Sequence, residues 1–269
     1  MRIALIAGSG DLPIQIAKQN QDAFVLCIDK YSSPSSFSNK SATVSLSEPN
    51  SWLSILKYNN ISHLVMAGKI DRISSEEIVS NKLDHQLICK TASLGDNSAL
   101  IFVQNFFIDN GFKILPVSSI LNDCFFTKGF YKEENFSIKQ KEFVLENSKF
   151  GVDLLNTMSK FDVGQSVVIN NKLVYGIEAL EGTNSMIDRA GNLYKNYFNS
   201  SDFGPVLIKI PKLNQNSNMD LPVIGLETVK KCKEFGFSSI VLSSTGTLII
   251  DLQKVKTYLN NNKLCVYAI

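Results

Sequence analysis

The sequence lacks the features that mark several large classes of protein. No hydrophobic run approaches the ~20 residues that a membrane-spanning helix needs. The apolar stretch near the N-terminus is also too short for the core of a signal peptide. No block of about five or more like charges occurs, and the formal net charge is only +2. We therefore expect a soluble, cytoplasmic protein and no nucleic-acid partner.

Cysteine and histidine are also scarce in useful patterns. The 5 cysteines are odd in number, and none belongs to a Cys-x-x-Cys pair. A disulfide framework or a structural zinc site is therefore not predicted, and buried reduced thiols are the simplest interpretation. Neither of the 2 histidines, His63 and His85, has a second histidine at i+4. No P-loop, Gly-x-Ser-x-Gly or His-Glu-x-x-His motif occurs.

What is present favours two domains, because the chain has 269 residues and is 44% hydrophobic. The first half alternates short β-rich runs with helical patterns, and this alternation predicts a Rossmann-like parallel sheet. Strands are predicted at 3–7, 24–29, 63–67 and 113–116. Helices are predicted at 13–20, 51–59, within 74–89, and from Asp96 to a stop at Gly111. The polar segment 30–50 is predicted to be a surface loop.

The second half has a different pattern, which predicts an α+β domain. Periodicity is lost after residue 125, so we place a linker at 131–141, between an N-terminal domain of 1–130 and a C-terminal domain of 142–269. Helices are predicted at 143–160, 225–235 and 252–261. Strands 165–169 and 172–179 are predicted to form a hairpin around Asn170-Asn171, because Asn tolerates positive φ. A second hairpin is predicted between 240–242 and 247–250.

A glycine-rich turn lies between the first predicted strand and helix and reads Gly8-Ser9-Gly10-Asp11-Leu12-Pro13. Two glycines allow a close backbone approach, and a helix N-terminus favours an anion. Pro13 replaces the third glycine of the dinucleotide fingerprint, which weakens that interpretation. The turn is therefore equally consistent with ligand binding and with an ordinary tight turn. Lys69 follows the third strand and is expected at the same end of the sheet, where a solvated loop is the alternative.

Acidic and basic residues gather in the second half. Glu178 and Glu181 end a strand, and Thr183 follows as a helix cap with Arg189 two turns later. Two carboxylates beside a helix terminus could hold Mg²⁺ together with a phosphate, and Arg189 could bind that phosphate. A capped helix with surface acids is the alternative.

A further charged segment follows the strand ending near residue 210. It contains Lys209, Lys212, Gln215 and Asp220, and Pro222 stiffens the backbone after Asp220. A carboxylate held opposite two lysines suits phosphoryl chemistry, although a lone carboxylate is also common in turns.

Together these motifs resemble those of the LpxI family of UDP-2,3-diacylglucosamine pyrophosphatases. The resemblance covers nearly the whole chain and is most specific in two blocks, Glu178-Ala179-Leu180-Glu181-Gly182-Thr183 and Asp220-Leu221-Pro222-Val223-Ile224-Gly225. It implies hydrolysis of UDP-2,3-diacylglucosamine to lipid X and UMP in lipid A synthesis, by Mg²⁺-assisted water attack on the β-phosphorus. It also implies that Asp220 is the essential catalytic carboxylate. Asn97 is a departure, because family members often have an aspartate there.

The expected site follows from the motifs and the resemblance together. Catalytic roles are expected for Asp220, Lys209, Lys212 and Arg189. Metal binding is expected for Asp220, Glu178 and Glu181. Substrate contacts are expected for Gly8, Ser9, Gly10, Asp11, Leu12, Lys69, Gln165, Thr183 and Gln215. Peripheral contact with the inner membrane and assembly into a homo-oligomer are left open.

Two alternative functions compete with this interpretation. A nicotinamide-dependent oxidoreductase would need an acidic residue after the second strand, and Asp29 meets that need. A non-catalytic nucleotide-sugar binding protein would share the fold but release no product. Neither alternative accounts for the charged residues of the second half.

Overall fold

The computed structural model describes residues 1–46, 48–70, 96–161, 163–197, 202–213 and 221–269, with the backbone alone at 96–99 and 197. The chain divides into two compact units, the first reaching Asn122 and the second beginning at Asp123. The helix predicted within 74–89 lies outside the described residues.

The first unit is built on a five-stranded parallel sheet with helices. The strand order is β3-β2-β1-β4-β5: β2 and β3 extend the sheet on one side of β1, and β4 and β5 extend it on the other. This arrangement confirms the predicted Rossmann-like class. Its strands are β1 Ile3–Ala7, β2 Phe24–Ile28, β3 Ser41–Val44, β4 His63–Ala67 and β5 Lys113–Ile114. Its helices are α1 Asp11–Gln19, α2 Pro49–Tyr58 and α3 Asp96–Asp109.

The segment 30–50 is not entirely a loop, and this prediction was wrong in part. Strand β3 lies within it and pairs in parallel with β2. Only Val44 of β3 is buried, so its sequence shows too little alternation to be recognised as a strand. Helix α2 begins at Pro49, where the missing N–H of proline costs nothing. The hydroxyl of Ser51 donates to the Glu48 carbonyl instead of capping the helix.

The second unit is built on a six-stranded mixed sheet in the order β6-β13-β11-β9-β7-β8. Strands β9, β11 and β13 are parallel, β7 is antiparallel to both of its neighbours, and β6 is antiparallel to β13. The strands of this sheet are β6 Gly129–Phe130, β7 Ser166–Asn170, β8 Leu173–Ile177, β9 Val206–Lys209, β11 Ser239–Leu242 and β13 Cys265–Ala268. Two further strands, β10 Val223–Ile224 and β12 Leu248–Ile249, form a separate two-stranded sheet. The helices are α4 Ile138–Met158, α5 Gly182–Tyr197, α6 Leu226–Glu234 and α7 Leu252–Asn261.

One predicted hairpin is confirmed and the other was wrong. Strands β7 and β8 form a hairpin, and its positive φ angles fall at Asn171 (50°) and Lys172 (64°), one residue later than predicted. Strands β11 and β12 do not pair with each other. Strand β11 lies between β9 and β13, whereas β12 pairs in parallel with the short β10.

The segment predicted as a linker, 131–141, carries structure of its own. It contains a single 3-10 turn, Glu133–Asn135, and the beginning of α4, which Ser137 caps by accepting from the Gln140 N–H. Strand β6 precedes this segment and pairs with β13 of the second unit, although it lies within the predicted N-terminal domain of 1–130.

The six-stranded sheet buries both of its faces, because alternate residues of each strand point to opposite sides. Val167, Ile169 and Ile208 face the side covered by α4. Val168 and Leu207 face the side covered by α5, α6 and α7. Gly151 of α4 allows a close approach, since a Cβ there would lie 2.8 Å from Ile208 Cδ1. The second unit therefore has three layers, with the sheet between α4 and the other three helices.

Candidate active site

The glycine-rich turn of the first unit is hydrogen-bonded to the loop after β4. Gly8 N donates to Ala67 O (2.8 Å), and Ser9 exchanges two backbone hydrogen bonds with Lys69, both 2.9 Å. The Ser9 hydroxyl also donates to Lys69 O (3.0 Å). A Cβ at Gly8 would lie 2.6 Å from Lys69 O, so glycine is required here for close contact between the two loops.

This contact bears on the predicted ligand role of the turn. In parallel sheets, ligands bind where the strand order reverses, which here is between the carboxyl ends of β1 and β4. The amides of Gly8 and Ser9 are used within the protein at that point. Gly10 (φ 99°) leads into α1, Asp11 and Lys69 are exposed, and Leu12 is buried. The substrate contacts expected of these residues stay predictions.

In the second unit, the predicted site residues collect at one edge of the six-stranded sheet. Strands β8, β9, β11 and β13 all end at this edge, which we call the carboxyl edge, and β7 begins there. Glu178 follows β8, and Lys209 is the last residue of β9. Gln165 and Ser166 lie at the beginning of β7, between those two strand ends. Residues far apart in sequence are thus brought together by strand direction.

Glu178 and Lys209 form the centre of a buried polar network. The Lys209 ammonium donates to the Thr183 hydroxyl, which donates to Glu178 Oε1 at 2.5 Å. The same oxygen lies 3.8 Å from Lys209 Nζ. The other oxygen, Oε2, accepts from the Ser166 hydroxyl (2.6 Å) and the Gln165 N–H (3.2 Å). The lysine and glutamate side chains are only 8% and 11% exposed, so the pair is screened little by solvent.

The ionisation of Glu178 follows from these contacts. Burial alone would raise its pKa, because a low dielectric disfavours the charged form. The charge of Lys209 and the donors Ser166, Thr183 and Gln165 act in the opposite direction and prevail. The pKa of Glu178 is therefore held below its ordinary value, and the residue is an anion at neutral pH.

The backbone around this network is fixed as closely as the side chains. Gly164 N donates to Glu178 O (3.1 Å), and a Cβ on Gly164 would lie only 2.2 Å from that oxygen. Thr247, fully buried, donates from its hydroxyl to Lys209 O (2.9 Å) and accepts from Ser243 N. The ends of β8 and β9 are thus both held by neighbouring loops.

Arg189 and Glu181 contact each other beside this network. One guanidinium nitrogen of Arg189 donates to Glu181 Oε1 (2.7 Å) and to Ile177 O at the end of β8 (3.2 Å). The hydrogen bond from Arg189 is the main reason that the pKa of Glu181 is lowered. The arginine is half exposed, so this ion pair adds little to stability.

The segment after Asp220 lies beside the same helix terminus. Strand β10 leads through Gly225 into α6, and the Thr228 hydroxyl in the first turn of α6 donates to Asn184 Oδ1 (2.8 Å). Asn184 belongs to the first turn of α5, immediately after Thr183. Two helices therefore begin next to one another on the side of the sheet opposite α4.

Some predicted residues are not placed by these contacts. Asp220 and Gln215 lie outside the described residues, as does the side chain of Asn97. Lys212 is half buried after Pro211. Among the described residues, no three His, Cys, Asp or Glu side chains are grouped closely enough to hold a metal ion. The predicted metal ligands are therefore left untested.

Three residues of this network were not predicted from the sequence: Ser166, Thr247 and Gly164. Each is a small residue whose importance depends on a partner more than ten positions away, at Glu178 or Lys209. The Gln165-Ser166 pair at the start of a buried strand was the one available signal, because a buried hydroxyl needs a partner.

Comparison with known proteins agrees with this two-unit architecture. The LpxI N-terminal domain model matches residues 2–124, and the LpxI C-terminal domain model matches residues 132–267. The UDP-2,3-diacylglucosamine pyrophosphatase LpxI of Caulobacter vibrioides is 26% identical over 264 residues, covering 94% of this chain and 92% of that protein. Because both domain models match in order and together span most of the sequence, the chain belongs to the LpxI family.

Proposed function

We propose that this protein hydrolyses UDP-2,3-diacylglucosamine to 2,3-diacylglucosamine 1-phosphate (lipid X) and UMP, a step of lipid A synthesis. The observation that carries the proposal is the match of both LpxI domain models, together with a relative that is named for this substrate and aligned along nearly its whole length. The charged network at the carboxyl edge supports it, because a diphosphate substrate needs fixed cationic and hydroxyl groups.

The residues of the network suggest a division of labour. The Lys209 ammonium carries three N–H donors, and Thr183 and Glu178 hold it in one place. A lysine fixed in this way stabilises negative charge on the diphosphate without reorganising during the reaction. Glu178 acts as its internal counter-ion. Water attack on the β-phosphorus, with Asp220 as the essential carboxylate, completes the proposal.

Magnesium dependence is kept as part of the proposal, with a narrower set of ligands. Glu178 has both oxygens engaged by internal donors, and Glu181 is paired with Arg189. These internal contacts argue against Glu178 and Glu181 as ligands, because Mg²⁺ requires carboxylate oxygens directed towards it at about 2.0–2.1 Å. Of the expected ligands, Asp220 therefore carries the assignment. Addition of EDTA should abolish turnover, and Mg²⁺ should restore it.

The test is an assay of the purified full chain with UDP-2,3-diacylglucosamine. UMP and lipid X should appear together, and reaction in ¹⁸O-labelled water should place the label in lipid X. Asp220→Ala should lose turnover but still bind substrate, whereas the matched control Asp153→Ala, on an exposed position of α4, should behave as wild type. Label in UMP would move the attack to the other phosphorus, and near-normal turnover by Asp220→Ala would remove that residue from the mechanism.

The nicotinamide alternative is not favoured by the described contacts. Dinucleotide sites need backbone amides of the glycine turn to approach a pyrophosphate. Here the amides of Gly8 and Ser9 donate to Ala67 and Lys69.

A further inference from the structure

Three large apolar side chains are strongly exposed near the carboxyl edge of the second unit. Phe161 is 76% exposed, Leu180 84% and Leu213 66%. They lie on three different connections, after α4, before α5 and after β9. Scattered apolar residues are ordinary on a protein surface, so their exposure alone would carry no conclusion. What distinguishes these three side chains is that their connections meet the sheet at the same place.

Two backbone hydrogen bonds join the three connections to one another where they meet the carboxyl edge. Gly164 N donates to Glu178 O, and Ile210 N donates to Gln165 O, both at 3.1 Å. Phe161 lies 3 residues before Gly164, Leu180 lies 2 residues after Glu178, and Leu213 lies 3 residues after Ile210. An extended chain spans no more than about 3.6 Å per residue. The Cα atom of each apolar residue therefore lies within roughly 11 Å of the Gly164, Glu178 or Ile210 residue from which it was counted. We call Phe161, Leu180 and Leu213 the apolar rim.

Cationic side chains adjoin the apolar rim. Lys160 is exposed beside Phe161, and the half-buried Lys212, which has a contact of its own, precedes Leu213. Two acidic residues also adjoin the apolar rim: Glu181 follows Leu180 and is ion-paired with Arg189, and Asp162 follows Phe161 in the sequence and lies outside the described residues. Apolar tips flanked by lysines match the chemistry of an anionic bilayer, whose headgroups attract cations and whose acyl region receives apolar side chains.

We infer that the apolar rim docks the second unit on the surface of an anionic lipid bilayer. The inference rests on the proposed function, because a substrate with two acyl chains resides in such a bilayer and must reach the carboxyl edge. The described helices include none that is long and apolar enough to cross a membrane, so docking would be peripheral. Each large side chain that inserts fully strengthens binding by about tenfold or more.

The chain offers a matched pair of variants for the test. Phe161→Ser/Leu180→Ser removes two members of the apolar rim. Ile138→Ser/Leu173→Ser removes two side chains that are 71% and 55% exposed at the opposite ends of α4 and β8. The first residue of α4 lies about 30 Å along the helix from its last turn. Both variants change exposed positions, so similar folding stability is expected.

Binding is measured by sedimentation of the full chain with substrate-free phosphatidylglycerol vesicles. Wild type should sediment, and salt should weaken binding. The Phe161→Ser/Leu180→Ser variant should bind at least about tenfold more weakly, and the Ile138→Ser/Leu173→Ser control should match wild type. Absence of wild-type binding, or equal loss by both variants, would overturn the inference. Equal binding to vesicles of phosphatidylcholine alone would contradict the role of charge.

Measuring turnover distinguishes docking on a bilayer from two other contacts of the apolar rim. With substrate embedded in vesicles, the Phe161→Ser/Leu180→Ser variant should lose activity, and with substrate dispersed in detergent it should keep it. Loss in both conditions would assign these side chains to the acyl chains of the substrate or to contact with another part of the protein, and docking would be refuted. Wild-type protein that binds vesicles but releases no UMP would defeat the proposed function and leave the docking surface standing.

Discussion

Replacement of Glu178 by glutamine tests the buried network most directly. Glutamine keeps the shape of the side chain but removes the negative charge that lies 3.8 Å from Lys209 Nζ. Its carbonyl oxygen can still accept from Ser166 and from the Gln165 N–H. Its NH₂ group must then face Thr183, whose hydroxyl already accepts from Lys209. Glu178→Gln therefore removes the buried carboxylate charge that accompanies the Lys209 ammonium.

The expected loss of stability follows from this burial. Breaking a buried ion pair by removing one partner costs about 3–5 kcal/mol, because the remaining charge stays desolvated. The side chains here are 8% and 11% exposed, so little of this penalty is relieved by solvent. Taking the lower figure of about 3 kcal/mol, the melting temperature should fall by about 6–12 °C. Urea unfolding of wild type and variant measures the same free-energy difference.

A double-mutant cycle shows whether the ion pair is the cause. Lys209→Met alone should also destabilise the protein, because it leaves the Glu178 carboxylate unpaired. The double variant Glu178→Gln/Lys209→Met removes both charges and should be destabilised by clearly less than the sum of the single changes. Additive losses would mean that the two charges do not interact, and a Glu178→Gln effect below about 0.5 kcal/mol would refute the buried network itself.

The effect of Glu178→Gln should also depend on pH in a defined direction. The folded protein holds the pKa of Glu178 below the ordinary value of 4.5. A lowered pKa contributes stability that is fully present above the unfolded value and is lost as pH falls through the folded value. The stability difference between wild type and Glu178→Gln should therefore be constant from neutral pH to about 5 and shrink below pH 4.5. A difference that grows on acidification would reverse the assigned sign.

Two further predictions concern backbone packing and thiols. Gly164→Ala should destabilise the second unit by about 3 kcal/mol or more in urea unfolding, because its Cβ meets a carbonyl oxygen at 2.2 Å. Gly225→Ala, whose nearest neighbour is 3.9 Å away but which loses the glycine N-cap of α6, should cost about 1 kcal/mol or less. Equal effects would contradict the close approach at Gly164. In a Cys89→Ser variant the remaining thiols should react with iodoacetamide at pH 8 only after the protein unfolds. Burial raises the pKa of Cys265 to about 12 and also raises the pKa values of Cys27, Cys124 and Cys232, so little reactive thiolate is present. Rapid labelling of the folded protein, located by mass spectrometry, would show that these thiols are accessible.

Local signals were sufficient to predict many elements of the fold. Helix α7 matches the predicted range of 252–261, and Gly111, predicted as a helix stop, follows α3 with positive φ. These features depend on neighbouring residues and on the backbone freedom of glycine. Strand β12 was different, because its partner β10 lies about 25 positions earlier and each strand has only 2 residues. No periodicity can be read from so short a segment.

The candidate site was predictable in composition and less so in connectivity. The sequence indicated that Glu178, Thr183 and Lys209 matter, with Glu178 expected to bind a metal and Lys209 to act in catalysis, but it predicted no contact among the three. In the structure these residues contact one another. The pairing depends on the directions of β7, β8 and β9, which residue type and spacing do not reveal. The same limit explains why Ser166 was missed.

The reversed direction of β7 has a chemical consequence for the carboxyl edge. Backbone N–H and C=O groups point sideways from a strand, so the residues that precede one strand and those that follow another meet at the same edge only where a strand runs against its neighbours. Because β7 begins where its neighbours end, it brings amide donors to the same place, and the Gln165 N–H reaches the Glu178 carboxylate for this reason. One strand running against its neighbours thus lets a single edge solvate an anion and hold a cation within a few ångströms of each other.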